Sequence, residues 1–146
     1  MDKSSIRRDA REWVVQMLFE LDLNPKETAV LFEHFWAERD PDPESRRFAE
    51  ATVLGVIENR PVIDEAISNN ADHWDLSRMK VIDRNVMRMG VYEILFRGDI
   101  PPVVSINEAV DIAKYFSSRE SGKFVNGILD KVMKESGRPA RSVEGQ

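Results

Sequence analysis

The sequence predicts an all-α protein, and three observations lead to that class. Residues 80–97, KVIDRNVMRMGVYEILFR, carry apolar side chains around most of a helical circumference, which is typical of a helix buried by several neighbours. Residues 5–22 repeat apolar side chains at steps of three and four, the pattern of an amphipathic helix. No stretch alternates apolar and polar residues in the manner of a half-buried strand. We therefore expect a compact bundle of seven helices built around residues 80–97.

The first half of the chain predicts four helices, separated by prolines. Pro25 and the pair Pro41 and Pro43 lie in turns between helices. Pro61 removes a helical hydrogen bond and predicts a kink or the start of a new helix. The predicted ranges are 5–22, 26–39, 44–59 and 61–70.

The central helix is predicted at residues 80–97, with Ser77 able to cap its start and Gly98 able to end it. Gly90 lies inside it, and glycine there indicates a tight helix crossing. Its charged residues are expected to reach the surface in gaps between neighbouring helices, with Glu93 and Arg97 as a local ion pair. These charged residues are Asp83, Arg84, Arg88, Glu93 and Arg97.

The last third predicts two further helices. Residues 99–104, DIPPVV, are expected to be extended because of their two prolines. The motif SINE at 105–108 is a capping box that opens a helix to Phe116. A last helix is expected from Ser121 to Glu135, with residues 1–137 as one domain and 138–146 as a disordered tail.

Composition narrows the class of protein. The chain has 146 residues, no cysteine and no apolar run of about 20 residues, so we expect one cytoplasmic domain without disulfides or membrane spans. The net charge is −5, and residues 20–50 hold nine acidic and four basic residues. This balance argues against nucleic-acid binding driven by overall charge, but it leaves room for a local basic patch.

Signals for catalysis are weak. The chain has no glycine-rich phosphate loop, no HExxH motif and no nucleophile elbow. His34 and His73 are the only histidines, and His73 lies between Asp72 and Asp75. Residues so close in sequence rarely converge on one metal, so we expect no metal, no cofactor and no catalytic site.

The first helix carries an arginine cluster, Arg7, Arg8 and Arg11, close to its amino terminus. Positive charge there opposes the helix dipole, and a bound anion would remove the conflict. The alternative is an ordinary charged helix face neutralised by Asp9 and Glu12, and the residues alone favour this alternative.

A second candidate surface is the segment SSRESGKFVNG, residues 117–127. Lys123 lies beside Phe124, and Phe116 lies on the other side of the loop. A base beside an exposed aromatic ring suits single-stranded RNA, through phosphate attraction and base stacking. The alternative is that both phenylalanines belong to the core. Asn126 and Gly127 predict a buried polar contact and close packing.

Four segments resemble the NusB family of bacterial transcription antitermination factors. They are RRDAREWVVQMLFELD (7–22), VIDRNVMRMGVYEI (81–94), DIPPVVSINEAVDIAKYF (99–116) and SGKFVNGILDKV (121–132). Residues 23–75 match only in helical layout. Some ribosomal RNA cytosine methyltransferases also carry a NusB-like domain, but we expect this chain to be too short for a methyltransferase domain as well.

The resemblance implies two helical subbundles that bind boxA, a short single-stranded RNA element of ribosomal operons. Binding would be shared with NusE, a ribosomal protein, within an antitermination complex on RNA polymerase. The resemblance also favours RNA binding at the arginine cluster and at residues 117–127, over the alternatives of a charged helix face and of core phenylalanines. The implied RNA-binding residues are Arg7, Arg8, Arg11, Phe116, Glu120, Lys123 and Phe124. The implied NusE-binding residues are Phe19, Asp83 and Arg84.

Three positions depart from the family pattern. Asp9 interrupts a basic run, Phe19 replaces a frequent tyrosine, and Gly122 replaces a frequent histidine or other polar residue. These changes predict weak RNA binding without NusE. Two other functions stay open: a protein-interaction module or homodimer that uses the acidic segment 20–50, and the RNA-targeting component of a separate methyltransferase.

Overall fold

The computed structural model of the protein describes residues 3–72 and 74–143. Within these residues the chain forms seven α-helices and one short 3-10 turn, and no strand. The predicted class and the number of helices are therefore confirmed. The helices are α1 (Lys3–Leu23), α2 (Thr28–Trp36), α3 (Pro43–Glu58), α4 (Arg60–Asn70), α5 (Val81–Phe96), α6 (Pro102–Phe116) and α7 (Arg119–Ser136), and the 3-10 turn is Leu76–Arg78.

The helices pack in two groups that share α5. Helices α1, α2 and α3 form the first group, and α4, α6 and α7 surround α5 in the second. Helix α5 also contacts α1 and α3, so it lies at the centre of the bundle as predicted. Five of its apolar side chains are almost completely buried, whereas Phe96 at its end is 42% exposed; the five are Val86, Met87, Met89, Val91 and Ile94. Among the described helices, none has the length and apolar character needed to cross a membrane.

Helix ends follow the local chemistry of the sequence. The side chain of Asp42 accepts hydrogen bonds from two backbone N–H groups at the start of α3, and Pro43 fills the first helical position. The hydroxyl of Ser118 accepts the backbone N–H of Ser121 at 3.1 Å and caps α7. Gly137 ends α7 with φ of 77°, the left-handed conformation that glycine adopts without a steric penalty.

The start of α6 differs from the prediction. The helix begins at Pro102, with Pro101 as its cap, because proline is accepted in the first turn, where its missing N–H has no helical partner. Ser105 and Glu108 therefore lie inside the helix and form no capping box. Ser105 instead donates its hydroxyl to Glu93 at 2.7 Å.

The charges of α5 were predicted to reach the surface, and for Asp83, Arg88 and Glu93 this was wrong. All three are at most 5% exposed. Carboxylates on other helices compensate Arg88, and Arg11 compensates Glu93, which makes the burial of these two charges tolerable. Asp83 accepts only the hydroxyl of Ser121 among the described residues. The predicted pair between Glu93 and Arg97 is also wrong: Glu93 binds Arg11, and Arg97 binds Asp99 at 2.9 Å.

The segment after α7 was expected to be disordered from residue 138. In the structure Arg138 donates hydrogen bonds to the carbonyls of Ile94 at 2.8 Å and Ile100 at 2.9 Å. The backbone N–H of Val103 also donates to the carbonyl of Ala140 at 2.9 Å. The described part of this segment is therefore held against the connection between α5 and α6; residues 144–146 lie outside the described part.

Two helical glycines have opposite surroundings. A Cβ on Gly90 would lie 2.8 Å from Cδ1 of Leu129 and 3.6 Å from Cβ of Ala109, so the position is tightly packed as predicted. The groups that fill the space are side chains, and not the neighbouring backbone that was expected. A Cβ on Gly127 would meet no described atom within 4 Å, and Asn126 is exposed. The close packing and buried contact predicted for these two residues were wrong, because they lie on the outer face of α7.

Candidate nucleic-acid interface

Arg11 lies in the core and not on the surface. Its side chain is 2% exposed, and its Nε and Nη2 donate to the two carboxylate oxygens of Glu93, each at 2.8 Å. Its Nη1 also donates to Glu108 at 3.2 Å. With its donors directed to these carboxylates inside the bundle, Arg11 is not available to a phosphate. We therefore remove it from the predicted set of RNA-binding residues.

Arg8 lies at the surface between α1 and α6. It donates to Glu108 and, at 3.1 Å, to Asp111. The hydrogen bond to Glu108 raises the pKa of Arg8 above its usual value. Its charge is therefore partly neutralised, and a phosphate at this place has to compete with two carboxylates.

Arg7 lies over the ring of Phe48, with 5.0 Å between its guanidinium carbon and the ring centroid. Its Nη2 is 3.9 Å from Asp99. Burial lowers the pKa of Arg7 from its usual value, and the charge of Arg97 acts in the same direction. The arginine cluster thus separates into one buried member and two that reach the surface.

The end of α6 presents an aromatic pair. The rings of Tyr115 and Phe116 meet edge to face with centroids 5.2 Å apart. Phe116 is partly buried against the core, whereas Tyr115 is 77% exposed. The sequence reasoning missed Tyr115. Its position in the helix could have indicated exposure, because Tyr115 lies one turn after the charged residue Asp111 and so on the same solvent face of α6.

The start of α7 carries the second predicted surface. Lys123 and Glu120 are exposed, and Phe124 is partly buried. The ring of Phe124 lies 6.4 Å from that of Trp74, centroid to centroid, at an interplanar angle of 70°. Both rings line an open cavity of about 330 Å³ between the 3-10 turn, α5 and α7. Trp74 was also missed, because it falls in a segment without helical periodicity.

The two predicted RNA surfaces lie along one helix. Arg8 binds α6 at Glu108 and Asp111, and Phe116 ends the same helix eight residues after Glu108. At 1.5 Å per residue this separation is about 12 Å. Helix α7 begins three residues after Phe116. A single extended strand of RNA that follows α6 can therefore reach both surfaces.

Of the three predicted NusE-binding residues, Phe19 and Arg84 lie where α1 meets α5, whereas Asp83 faces Ser121 on α7. Arg84 forms a two-point ion pair with Asp22, at 2.6 and 2.8 Å, and Phe19 lies one turn before Asp22. Burial raises the pKa of Asp22, but hydrogen bonds from Arg84 and Asn85 outweigh it and hold the pKa at about 2. Phe19 is partly exposed, whereas Asp83 is only 5% exposed.

No group of three His, Cys, Asp or Glu side chains suited to a metal occurs in residues 3–72 and 74–143. His73, one of the two histidines considered above, lies outside that part of the chain. His34 is exposed on α2.

Comparison with known proteins decides the family. The family model described as NusB family matches residues 8–134. The chain belongs to the NusB family. Two relatives illustrate how far the similarity of this NusB-family chain extends. Transcription antitermination protein NusB of Sorangium cellulosum is 41% identical over 135 residues, covering 92% of this chain and 96% of the relative. The protein of the same name from Desulfitobacterium hafniense is 47% identical over 129 residues, or 87% of each chain.

Solved structures agree with this assignment. T. maritima NusB superposes with a TM-score of 0.79 at 40% identity, covering 88% of this chain and 91% of that one. A chain from the crystal structure of antitermination factors NusB and NusE in complex with double-stranded RNA gives a TM-score of 0.81 at 26% identity, with coverage of 90% and 98%. The predicted NusB-like fold is therefore confirmed.

Proposed function

We propose that this NusB-family chain is a transcription antitermination factor that acts as an RNA-binding adaptor and not as an enzyme. It binds boxA-type single-stranded RNA in the cytoplasm together with NusE, and the complex joins RNA polymerase on ribosomal RNA operons. The observation that carries the RNA part is the junction of α6 and α7. There Tyr115 and Lys123 are exposed beside the partly exposed ring of Phe124.

The chemistry of this junction favours a single strand. Exposed aromatic rings stack on bases that are not paired, and a neighbouring ammonium group attracts the phosphates. The solved structure of NusB and NusE described above contains double-stranded RNA, so duplex RNA is the natural competitor in a binding test. We assign the RNA surface to Arg7, Arg8, Tyr115, Phe116, Glu120, Lys123 and Phe124, with Arg11 supporting α1 from inside the bundle.

Acidic side chains on the same surface predict modest affinity for RNA alone. Glu108 and Asp111 neutralise Arg8, Asp9 is exposed on α1, and Glu120 precedes Lys123 by three residues. NusE would supply the missing affinity. We place its contact at Phe19 and Arg84, the partly exposed residues where α1 meets α5.

Fluorescence anisotropy tests this function directly. Labelled boxA-type RNA, a scrambled single strand and a duplex of the boxA sequence are titrated with the protein at two salt concentrations, with and without NusE. We expect the boxA strand to bind most tightly, NusE to tighten it further, and added salt to weaken it, because phosphate contacts release counterions. Equal and weak binding of all three RNAs contradicts the proposal.

A protein-interaction module or homodimer is the second candidate, and one observation favours it. Leu54 and Ile57 on α3 and Phe96 at the end of α5 are large apolar side chains that remain exposed. Sedimentation equilibrium separates the two functions. A dimer that excludes NusE and binds boxA no better than scrambled RNA would support this candidate.

A further inference from the structure

The cavity between the 3-10 turn, α5 and α7 contains a buried carboxylate with one oxygen that no described group satisfies. Asp83 lines this cavity and is 5% exposed. Its Oδ2 accepts the hydroxyl of Ser121 at 3.1 Å. Its Oδ1 is buried and accepts no hydrogen bond from the described residues. Because an unsatisfied buried acceptor is costly, this oxygen is suited to a donor that enters through the cavity.

The walls of the cavity are suited to a flat ring. Trp74 and Phe124 line it, and their rings lie edge to face. A planar group that stacks on one ring therefore meets the edge of the other, an arrangement that aromatic pairs favour. A volume of about 330 Å³ lies at the lower end of the range for ligand sites, so one ring system fits and an extended ligand does not.

The charges at the opening favour a nucleotide over a basic side chain of a protein partner. Arg78 and Lys80 line the same cavity and are exposed. They attract a phosphate group and repel an incoming lysine or arginine. Glu120 is the acidic residue at this opening and offsets one of the two positive charges, so the opening stays basic while Asp83 makes the inside of the cavity acidic.

We infer that this cavity takes one unstacked base of the bound RNA and that Asp83 selects guanine there. The inference rests on the proposed RNA-binding function, and it transfers Asp83 from the predicted NusE contact to the RNA. The base stacks against Phe124 or Trp74, its phosphate lies near Arg78 and Lys80, and its Watson–Crick edge donates to the Asp83 carboxylate.

Guanine is selected because a carboxylate only accepts hydrogen bonds. Guanine places two donors side by side on its Watson–Crick edge, the N1–H and the N2 amino group. Adenine and cytosine offer one amino donor beside a ring nitrogen that accepts, and uracil offers one N–H between two carbonyls. Each of those acceptors would face the carboxylate and be repelled.

The test combines base substitution with one variant of the full-length protein. Each guanosine of the boxA-type RNA is replaced in turn by inosine, which lacks only the N2 amino group. With the wild-type protein we expect one position at which inosine weakens binding roughly ten-fold, while the other positions change little. With Asp83→Asn we expect affinity for the unmodified RNA to fall by a similar factor and the effect of inosine at that position to disappear.

Two controls keep the outcomes distinct. Asp130→Asn changes a partly exposed aspartate on α7 that binds Lys134, and it should preserve both the affinity and the inosine effect. The circular dichroism spectrum and Tm show whether Asp83→Asn still folds; if it does not, the inosine series on the wild-type protein decides alone.

The possible results separate this inference from the proposed function. If boxA-type RNA binds better than scrambled RNA but no single inosine matters, the guanine pocket is overturned and the RNA-binding function stands. The same holds if Asp83→Asn weakens NusE binding and leaves RNA binding unchanged, since the occupant is then a protein side chain. If boxA-type and scrambled RNA bind equally, both proposals fail.

Discussion

Arg11 on α1 and Glu93 on α5 form a two-point ion pair inside the bundle, with both N–O distances at 2.8 Å. Ser105 on α6 donates to the same carboxylate, so three helices meet at one buried charge. This pair changes the interpretation of the arginine-rich first helix. Arg7 and Arg8 reach the surface, whereas Arg11 holds α1 against α5 and so positions the other two.

Replacing Arg11 with glutamine should destabilise the protein strongly. The substitution leaves the Glu93 carboxylate buried without its counter-charge, which costs about 3–5 kcal/mol of the free energy of unfolding. Urea denaturation followed by circular dichroism measures this loss. The matched control is Arg60→Gln, which removes an exposed pair with Asp64 at 3.3 Å and should cost at most about 0.5 kcal/mol. Similar losses for the two variants would mean that the buried pair of Arg11 and Glu93 contributes no more to stability than an exposed ion pair.

Reversing the charge of Lys123 should weaken RNA binding without affecting folding. Lys123 is exposed at the start of α7, so Lys123→Glu removes a phosphate contact and adds repulsion. We expect about a ten-fold loss of affinity at low salt and a smaller dependence of affinity on salt. Lys134→Glu is the control, because Lys134 lies on the same face of α7 about 16 Å away. If Lys134→Glu reduces affinity as much, the effect is one of net charge and not of this site.

Removing Asp111 should strengthen RNA binding. Asp111 accepts a hydrogen bond from Arg8 at 3.1 Å and adds negative charge to the exposed face of α6. In Asp111→Asn Arg8 loses one of its two hydrogen-bonded carboxylates and keeps Glu108, so a phosphate meets less competition. We expect affinity to rise a few-fold at low salt, as measured by anisotropy. Unchanged affinity would indicate that the RNA does not pass Arg8.

The sequence was informative wherever one local rule decides the outcome. Periodicity, prolines and capping residues together located all seven helices, and the apolar circumference of residues 80–97 correctly placed α5 at the centre. The predicted start of α6 was too late. Proline is disfavoured inside a helix, but the first turn accepts it, and Pro102 lies in that turn. The location of the helices and the start of α6 both depend on residues that are adjacent in the chain, so local rules apply to both.

Long-range pairing was the part that sequence reasoning missed. Arg11 and Glu93 are 82 residues apart, and nothing local distinguishes Arg11 from Arg7 or Arg8. The helical rule for Glu93 and Arg97 predicted a neighbour four residues away, but a buried carboxylate requires a partner from another helix. The cavity near Asp83 likewise depends on Trp74 and Phe124, which only the tertiary fold brings together.

Gly90 and Gly127 predict opposite effects of alanine. Gly90→Ala places a methyl group 2.8 Å from Leu129 inside the core, and overpacking of this kind costs about 1–3 kcal/mol. Helix propensity returns about 1 kcal/mol of this, so we expect a net loss of up to about 2 kcal/mol. Gly127→Ala meets no described atom within 4 Å and should gain about 0.5–1 kcal/mol from helix propensity. Thermal unfolding of the two variants measures both changes. Stabilisation by Gly90→Ala would show that the crossing of α5 and α7 is looser than described.

The ion pair between Asp22 and Arg84 should make stability depend on pH in the acid range. Although burial raises the pKa of Asp22, hydrogen bonds from Arg84 and Asn85 and the charge of Arg88 hold it at about 2, below the usual 3.8. The folded protein therefore binds the proton less readily than the unfolded chain. The resulting stabilisation is complete above about pH 4 and is lost as the pH falls towards 2.

Asp22→Asn should remove that acid-sensitive contribution. We expect a loss of about 1–2 kcal/mol near pH 6, after allowance for solvent screening, and a shallower fall in stability between pH 4 and 2 than in the wild type. Urea titrations at a series of pH values give both quantities. Asp130 forms a surface ion pair with Lys134, one helical turn away, so Asp130→Asn should leave the dependence of stability on pH unchanged. A wild-type profile that is retained in Asp22→Asn would show that other carboxylates, such as Asp99 with its pKa of about 2, dominate acid unfolding.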